Sequence, residues 1–171
     1  MSDVSDPAHI PNPPGSIDLS DLVLNLGKRA SASAALVSGA IVEEWLQKIL
    51  LLRMRPVSNR LAKRIFDRYG PLSTFAAKID IAYAFGLLDE TTFNDLRVIK
   101  EIRNKFAHSI EVTHFRSDEI DKLLRKLSNW EEPRDAQIVF VDAIEACVKH
   151  IEGQYERLMF AQALQPPGGP A

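Results

Sequence analysis

Apolar residues recur at intervals of three and four along most of this chain, the period of helices that bury one side. Leu19, Leu22, Val23 and Leu26 predict a short first helix over Ile17 to Leu26. A long and unusually apolar helix follows over Ser31 to Met54. Its apolar positions are Ala34, Val37, Ala40, Ile41, Trp45, Ile49 and Leu52, and Pro56 stops it. The small residues Ala35 and Gly39 permit close approach by a neighbour, which places this helix at the centre of a bundle.

Further on, capping residues divide the pattern. Ser58 opens a helix running through Tyr69 and closed by Gly70-Pro71, and Ser73 opens one with Phe75, Ile79, Ala82 and Tyr83, ending near Gly86. Asp89 starts a helix with Phe93, Leu96, Ile99, Ile102 and Phe106 on one stripe, running to about His108. Ser117 caps the next, whose first turn carries Asp118 and Glu119 and whose end carries Lys122, Arg125 and Lys126, as the helix dipole favours. Pro133 suits the first turn of a last long helix containing Ile144, Cys147, Ile151, Tyr155, Leu158 and Met159. IVFV at 138–141 has strand composition, yet no second strand is present to pair with it. The expected fold is therefore all-α, a single bundle of six to seven helices spanning 17–164. The proline-rich arm 1–16 and the tail 165–171 have too little apolar surface to offset the entropy of ordering, so both are expected to be disordered.

Composition agrees with one ordinary globular domain. In 171 residues, 46% are hydrophobic and 26% charged, while aromatics at 8% and only eight glycines argue against a β-sandwich. The single cysteine, Cys147, excludes an intrachain disulfide and reads as a small core residue. The acidic, proline-containing N-terminus lacks the pattern of a secretory signal, and ILLL at 49–52 is far too short to span a membrane. A cytoplasmic location is expected.

A formal net charge of −2 supplies no global field for nucleic acid. One local exception stands out. Arg60, Lys63, Arg64 and Arg68 fall at spacings of three and four, hence on one helix face suited to phosphates or to an acidic partner.

The other stretch with chemistry is EIRNKFAHS, Glu101 to Ser109, which sets Arg103, Asn104 and His108 among apolar residues. At about 100° per residue, Asn104 and His108 share a face while Arg103 and His108 point about 140° apart. A guanidinium and an imidazole could position a phosphodiester and move its proton, which is what a metal-independent ribonuclease needs. Alternatively, Arg103 turns inward and pairs with Glu43 or Glu44 of the long helix, while His108 satisfies carbonyls at a helix end. These four residues would then form a structural lock.

The helices on either side of Gly70-Pro71 have the length of a helix–turn–helix. The second, however, offers a DNA groove only Lys78 and Asp80, too few side chains to read base edges. Direct specific DNA binding is not expected. No glycine-rich phosphate loop, Ser–His–Asp set or histidine pair at metal-ligand spacing occurs, so neither a cofactor nor a metal is expected. His9 and His114 fall in predicted loops, and His150 on the last helix reads as exposed.

The run GPLSTFAAKIDIAYAFGLLDETTFNDLRVIKEIRNKFAHS, 70–109, resembles the mannitol operon repressor family, and LVSGAIVEEWLQKIL upstream is compatible with it. Taken over roughly residues 30–160, the resemblance implies an all-helical regulator of mannitol or other sugar-alcohol uptake genes that lacks an ordinary DNA-binding motif. It further implies a homodimer working through a protein partner. The R-N-x-x-x-H pattern of Arg103, Asn104 and His108 is also similar to that of HEPN domains, helical bundles several of which cleave RNA with motifs paired across a dimer. RNA binding or cleavage is thus the alternative expectation.

Overall fold

In the computed structural model the described residues are 19–108, 114–132 and 134–164, with side chains described from Arg29 onward. The arm 1–16, Pro133 and the tail 165–171 lie outside them, as do the side chains of the first expected helix. Among the described residues there are six helices and no strand: α1 (Leu19–Arg53), α2 (Asn59–Phe66), α3 (Phe75–Ala84), α4 (Glu90–His108), α5 (Asp118–Leu124) and α6 (Ala136–Ala163). The IVFV run is helical, at the start of α6.

Two helices expected at the N-terminus are one. α1 runs unbroken from Leu19 to Arg53. Gly27 falls within this run, and a single glycine costs about 1 kcal/mol relative to alanine, which by itself does not end a helix. The buried row of α1 also differs from the expected stripe. Ala35, Val42, Leu46, Ile49 and Leu50 are buried with Ser31 and Gly39, whereas Val37 is 61% and Ile41 46% exposed. Ile49 is buried as expected and Trp45 packs on the core, but Val37 and Ile41 face out. The small side chains mark where another helix comes close.

α1, α4 and α6 form the frame. Trp45 meets Tyr155 edge-on at 6.0 Å, and the Gln162 side chain donates to the Leu52 carbonyl at 2.9 Å. Both partners advance along their helices together, so α1 and α6 run parallel. α4 runs against both: its start lies beside His150, and its end reaches Phe140 through the Phe106–Phe115–Phe140 ring contacts. α3 packs on α1 and α4, and α5 on α4 and α6. The core among them is built by Leu46, Ile79, Leu96, Ile99, Ile102, Ile120, Phe140 and Ile151, all fully buried.

The caps account for most helix starts. Ser58 accepts from the Leu61 amide and Asp89 from the Thr92 amide. Thr74, one residue beyond the expected Ser73, caps α3. Ser117 occupies the N-cap position of α5, yet its hydroxyl makes no capping bond. Asp135, whose carboxylate accepts from Gln137 and Ile138, starts α6. His150 is not an exposed side chain but half-buried: one ring nitrogen stands 3.3 Å from the Leu87 carbonyl and the other 3.4 Å from Asp89. It ties α6 to the start of α4.

Candidate functional site

The three polar residues of EIRNKFAHS divide between two sides of α4. Arg103 turns toward α1. Its Nη2 lies 3.6 Å from Glu43 Oε2, and its guanidinium lies over the Phe75 ring at 5.8 Å. A Cβ placed on Gly39 would stand 2.9 Å from Arg103 Cδ, so the glycine makes the trough in which the arginine stem rests. At 3.6 Å the Glu43 contact is an ion pair without a good hydrogen bond, and the buried Arg103 Nε has no partner.

Glu43 is held more firmly by Lys78, at 2.7 Å from Oε1. Lys78 is 3% exposed and also reaches the Ser73 carbonyl. The lysine that sequence offered to a DNA groove is therefore inside, as the buried counter-ion of α1. The signal was available: Phe75, Lys78, Ile79 and Ala82 form one stripe of α3, and Lys78 is its polar member. Glu44 takes no part in this contact. It faces solvent and pairs with Lys48 at 2.8 Å.

Asn104 and His108 lie on the opposite side. They line an open groove of about 750 Å³ between α4 and α5 with Lys100, Glu101, Lys105 and Lys122. The Lys105–Glu119 pair, 2.8 Å, joins the two helices there. Arg103 does not enter this groove. Within one chain, then, the Arg–Asn–His set does not converge on a single ligand position.

The basic residues in and after α2 form a third feature. α2 ends at Phe66 rather than at Tyr69, so Arg68 lies in the following turn and not on the helix face. Arg60, Lys63, Arg64 and Arg68 line a shallow groove of about 660 Å³ together with Asp67 and Tyr69. All are exposed, and among the described residues none of the four cations has an ion-pair partner.

Elsewhere the buried polar groups are structural. Asp95 on α4 accepts from the Ser128 amide at 2.9 Å and from its hydroxyl at 2.5 Å, which fixes the end of the α5 segment to α4. Cys147 is buried, and that burial, with Asp95 and Asp89 adding to it, pushes its thiol up to about 12. Such a thiol is no nucleophile at neutral pH. Among the described residues no three His, Cys, Asp or Glu side chains converge as metal ligands, and no helix is long and apolar enough to cross a membrane.

The geometry thus defines an all-helical protein whose one helix–turn–helix-like pair has its second helix packed into the core. Residues 57–159, more than half of the chain, match the mannitol repressor family, and the chain belongs to that family of repressor-type regulators. The match starts at the α2 segment, later than the boundary near residue 30 that the sequence suggested, so Gly39 and Glu43 of α1 lie outside it. No curated protein and no solved structure matches the chain.

Proposed function

We propose that this protein represses genes for the uptake or use of mannitol or a related sugar alcohol through contacts with a protein partner, without reading DNA through a helix of its own. The burial of α3 carries this reading. A recognition helix must present several polar side chains to base edges. α3 instead buries Phe75, Ile79 and Ala82, and its Lys78 is engaged by Glu43. Only the short, arginine-rich α2 is left outside, and unpartnered cations contact phosphates without reading sequence.

The outward face of α1 supports the same reading. Leu36, Val37 and Ile41 are exposed within two turns, and aliphatic surface of that kind is what protein contacts bury.

Gel retardation with DNA from upstream of the regulated sugar-alcohol genes provides the test. The purified protein alone is expected to give no sequence-specific shift at micromolar concentration, and a specific complex should form only when the partner is added. Specific retardation by the purified protein alone would overturn the proposal.

A further inference from the structure

From the α2 groove we infer a binding site for single-stranded RNA, in which Arg60, Lys63, Arg64 and Arg68 hold backbone phosphates and Tyr69 stacks on an unpaired base. This goes beyond the protein-contact reading above and does not rest on it.

The charge is the first support. The chain as a whole is acidic, yet these four cations, three on α2 and Arg68 in the turn after it, line one groove against the single carboxylate of Asp67. Other basic side chains, such as Arg125, Arg134, Lys105 and Lys149, each hold a carboxylate. Among the described residues Arg60, Lys63, Arg64 and Arg68 hold none and, unlike scattered cations such as Arg55 and Arg157, line one groove together. α2 has eight residues, so at about 1.5 Å per residue its basic face extends about 12 Å, the reach of two or three successive phosphates.

The turn after α2 supplies the rest. Arg68 has φ +54°, a conformation that non-glycine side chains rarely adopt, and it is held there from both sides. The Asp67 amide donates to Lys63, Gly70 to Asp67 and Leu72 to Ile65, each at 2.9 Å. Phe66 and Leu72 anchor the two ends in the core. Gly70 permits the tight turn, because a Cβ there would stand 2.3 Å from the Ile65 carbonyl. Arg68 and Tyr69 are thereby fixed outward on a rigid loop, and Tyr69 is fully exposed at 102%. Strain retained in an otherwise well-anchored turn is characteristic of binding surfaces.

An aromatic ring free on its face beside a cationic row is the arrangement that binds single strands, since every unpaired base offers a face to stack on. Protein interfaces also use arginine and tyrosine, but their cores set them among apolar neighbours, of which this groove offers only Pro71. Duplex DNA would use the cations and leave the ring idle.

The test is fluorescence anisotropy of the full chain with a labelled oligouridine RNA, compared with the same-length DNA strand, a DNA duplex and a polyglutamate peptide. The wild type should bind the RNA at least tenfold more tightly than the duplex. Two or three phosphate contacts predict a loss of about 7- to 20-fold between 50 and 200 mM salt, at a slope of about −0.7 per contact. Arg60→Glu/Arg64→Glu should weaken binding more than tenfold, and Tyr69→Ala about tenfold, with circular-dichroism melts unchanged because these side chains are exposed. Equal binding of the DNA strand upholds the site, whose phosphate and stacking contacts both polymers share. The inference is overturned by duplex binding as tight as RNA, by DNA strands bound tenfold more tightly than RNA, or by preference for polyglutamate. It is equally overturned if the variants bind as wild type does, or if no RNA is bound at low salt.

Discussion

Gly39 of α1 lies directly beneath Arg103 of α4, so close that a methyl group at 39 would stand 2.9 Å from Arg103 Cδ and 3.2 Å from Cγ. Those two carbons are the middle of the side chain. They cannot swing aside as a free end could, because the guanidinium beyond them is set between Glu43 and Phe75.

Gly39→Ala therefore has two opposed effects. Helix propensity favours alanine by up to about 1 kcal/mol, whereas overpacking against Arg103 costs about 1–3 kcal/mol. The expected net result in urea denaturation is a loss of about 1 kcal/mol. In an Arg103→Ala background the overpacking disappears and Gly39→Ala should become stabilising. A double-mutant cycle reads this change of sign, and strict additivity would show that the two residues do not touch in solution.

Glu43 makes the larger contribution, since it is the counter-ion of Lys78, which is only 3% exposed. Glu43→Ala leaves that ammonium buried and unpaired, and a loss of about 3 kcal/mol is expected. Arg103→Ala should cost clearly less, about 1 kcal/mol, because its side chain is 30% exposed and its ion pair with Glu43 is long. Replacing both partners, as Glu43→Gln/Lys78→Met, should recover most of the loss. Comparison of the three midpoints checks the order, and a greater loss for Arg103→Ala than for Glu43→Ala would contradict the assigned burial.

Much of this arrangement was legible in the sequence, and the failures share a physical cause. The helical period, the Ser58 and Asp89 caps and the end of α4 near His108 were read correctly because each depends on local chemistry. On α1 the close approach at Ala35 and Gly39 and the burial of Ile49 were read correctly, but Val37 and Ile41 were misplaced, since large side chains gave an apolar signal that the helix spacing does not use. Lys78 was left to solvent because its counter-ion is 35 residues away, a separation that no local pattern encodes. The family resemblance required a long run of residues in order. Where Arg103 and His108 point required the neighbours of α4.

Asp89 provides a pH signature. Hydrogen bonds from Thr92 hold its carboxyl below the ordinary 3.8, with His150 adding to the effect. A depressed folded-state value stabilises the protein above the unfolded-state value, and this contribution is lost as pH falls through the folded one. Asp89→Ala should thus cost about 1 kcal/mol at pH 7, the usual worth of such a cap. The difference between wild type and variant should narrow progressively below about pH 4. Urea midpoints at pH 7 and in the acid range measure it, and a gap constant with pH would exclude an ionised cap.

Cys147 allows a test of the core itself. Its thiol faces the α4 and α6 packing, 2% exposed and raised to about 12, so at pH 8 almost none is present as thiolate. Reaction with an aromatic disulfide reagent should accordingly be slow in the native protein and rapid in denaturing urea, where the thiol returns toward about 8.5. Under native conditions the rate should follow the opening of the α4–α6 contact and rise in Asp95→Ala, which frees the Ser128 segment from α4. Immediate labelling of the native wild type would mean that the neighbouring helices do not cover this face of α6, and the assigned α4–α6 packing would fail with it.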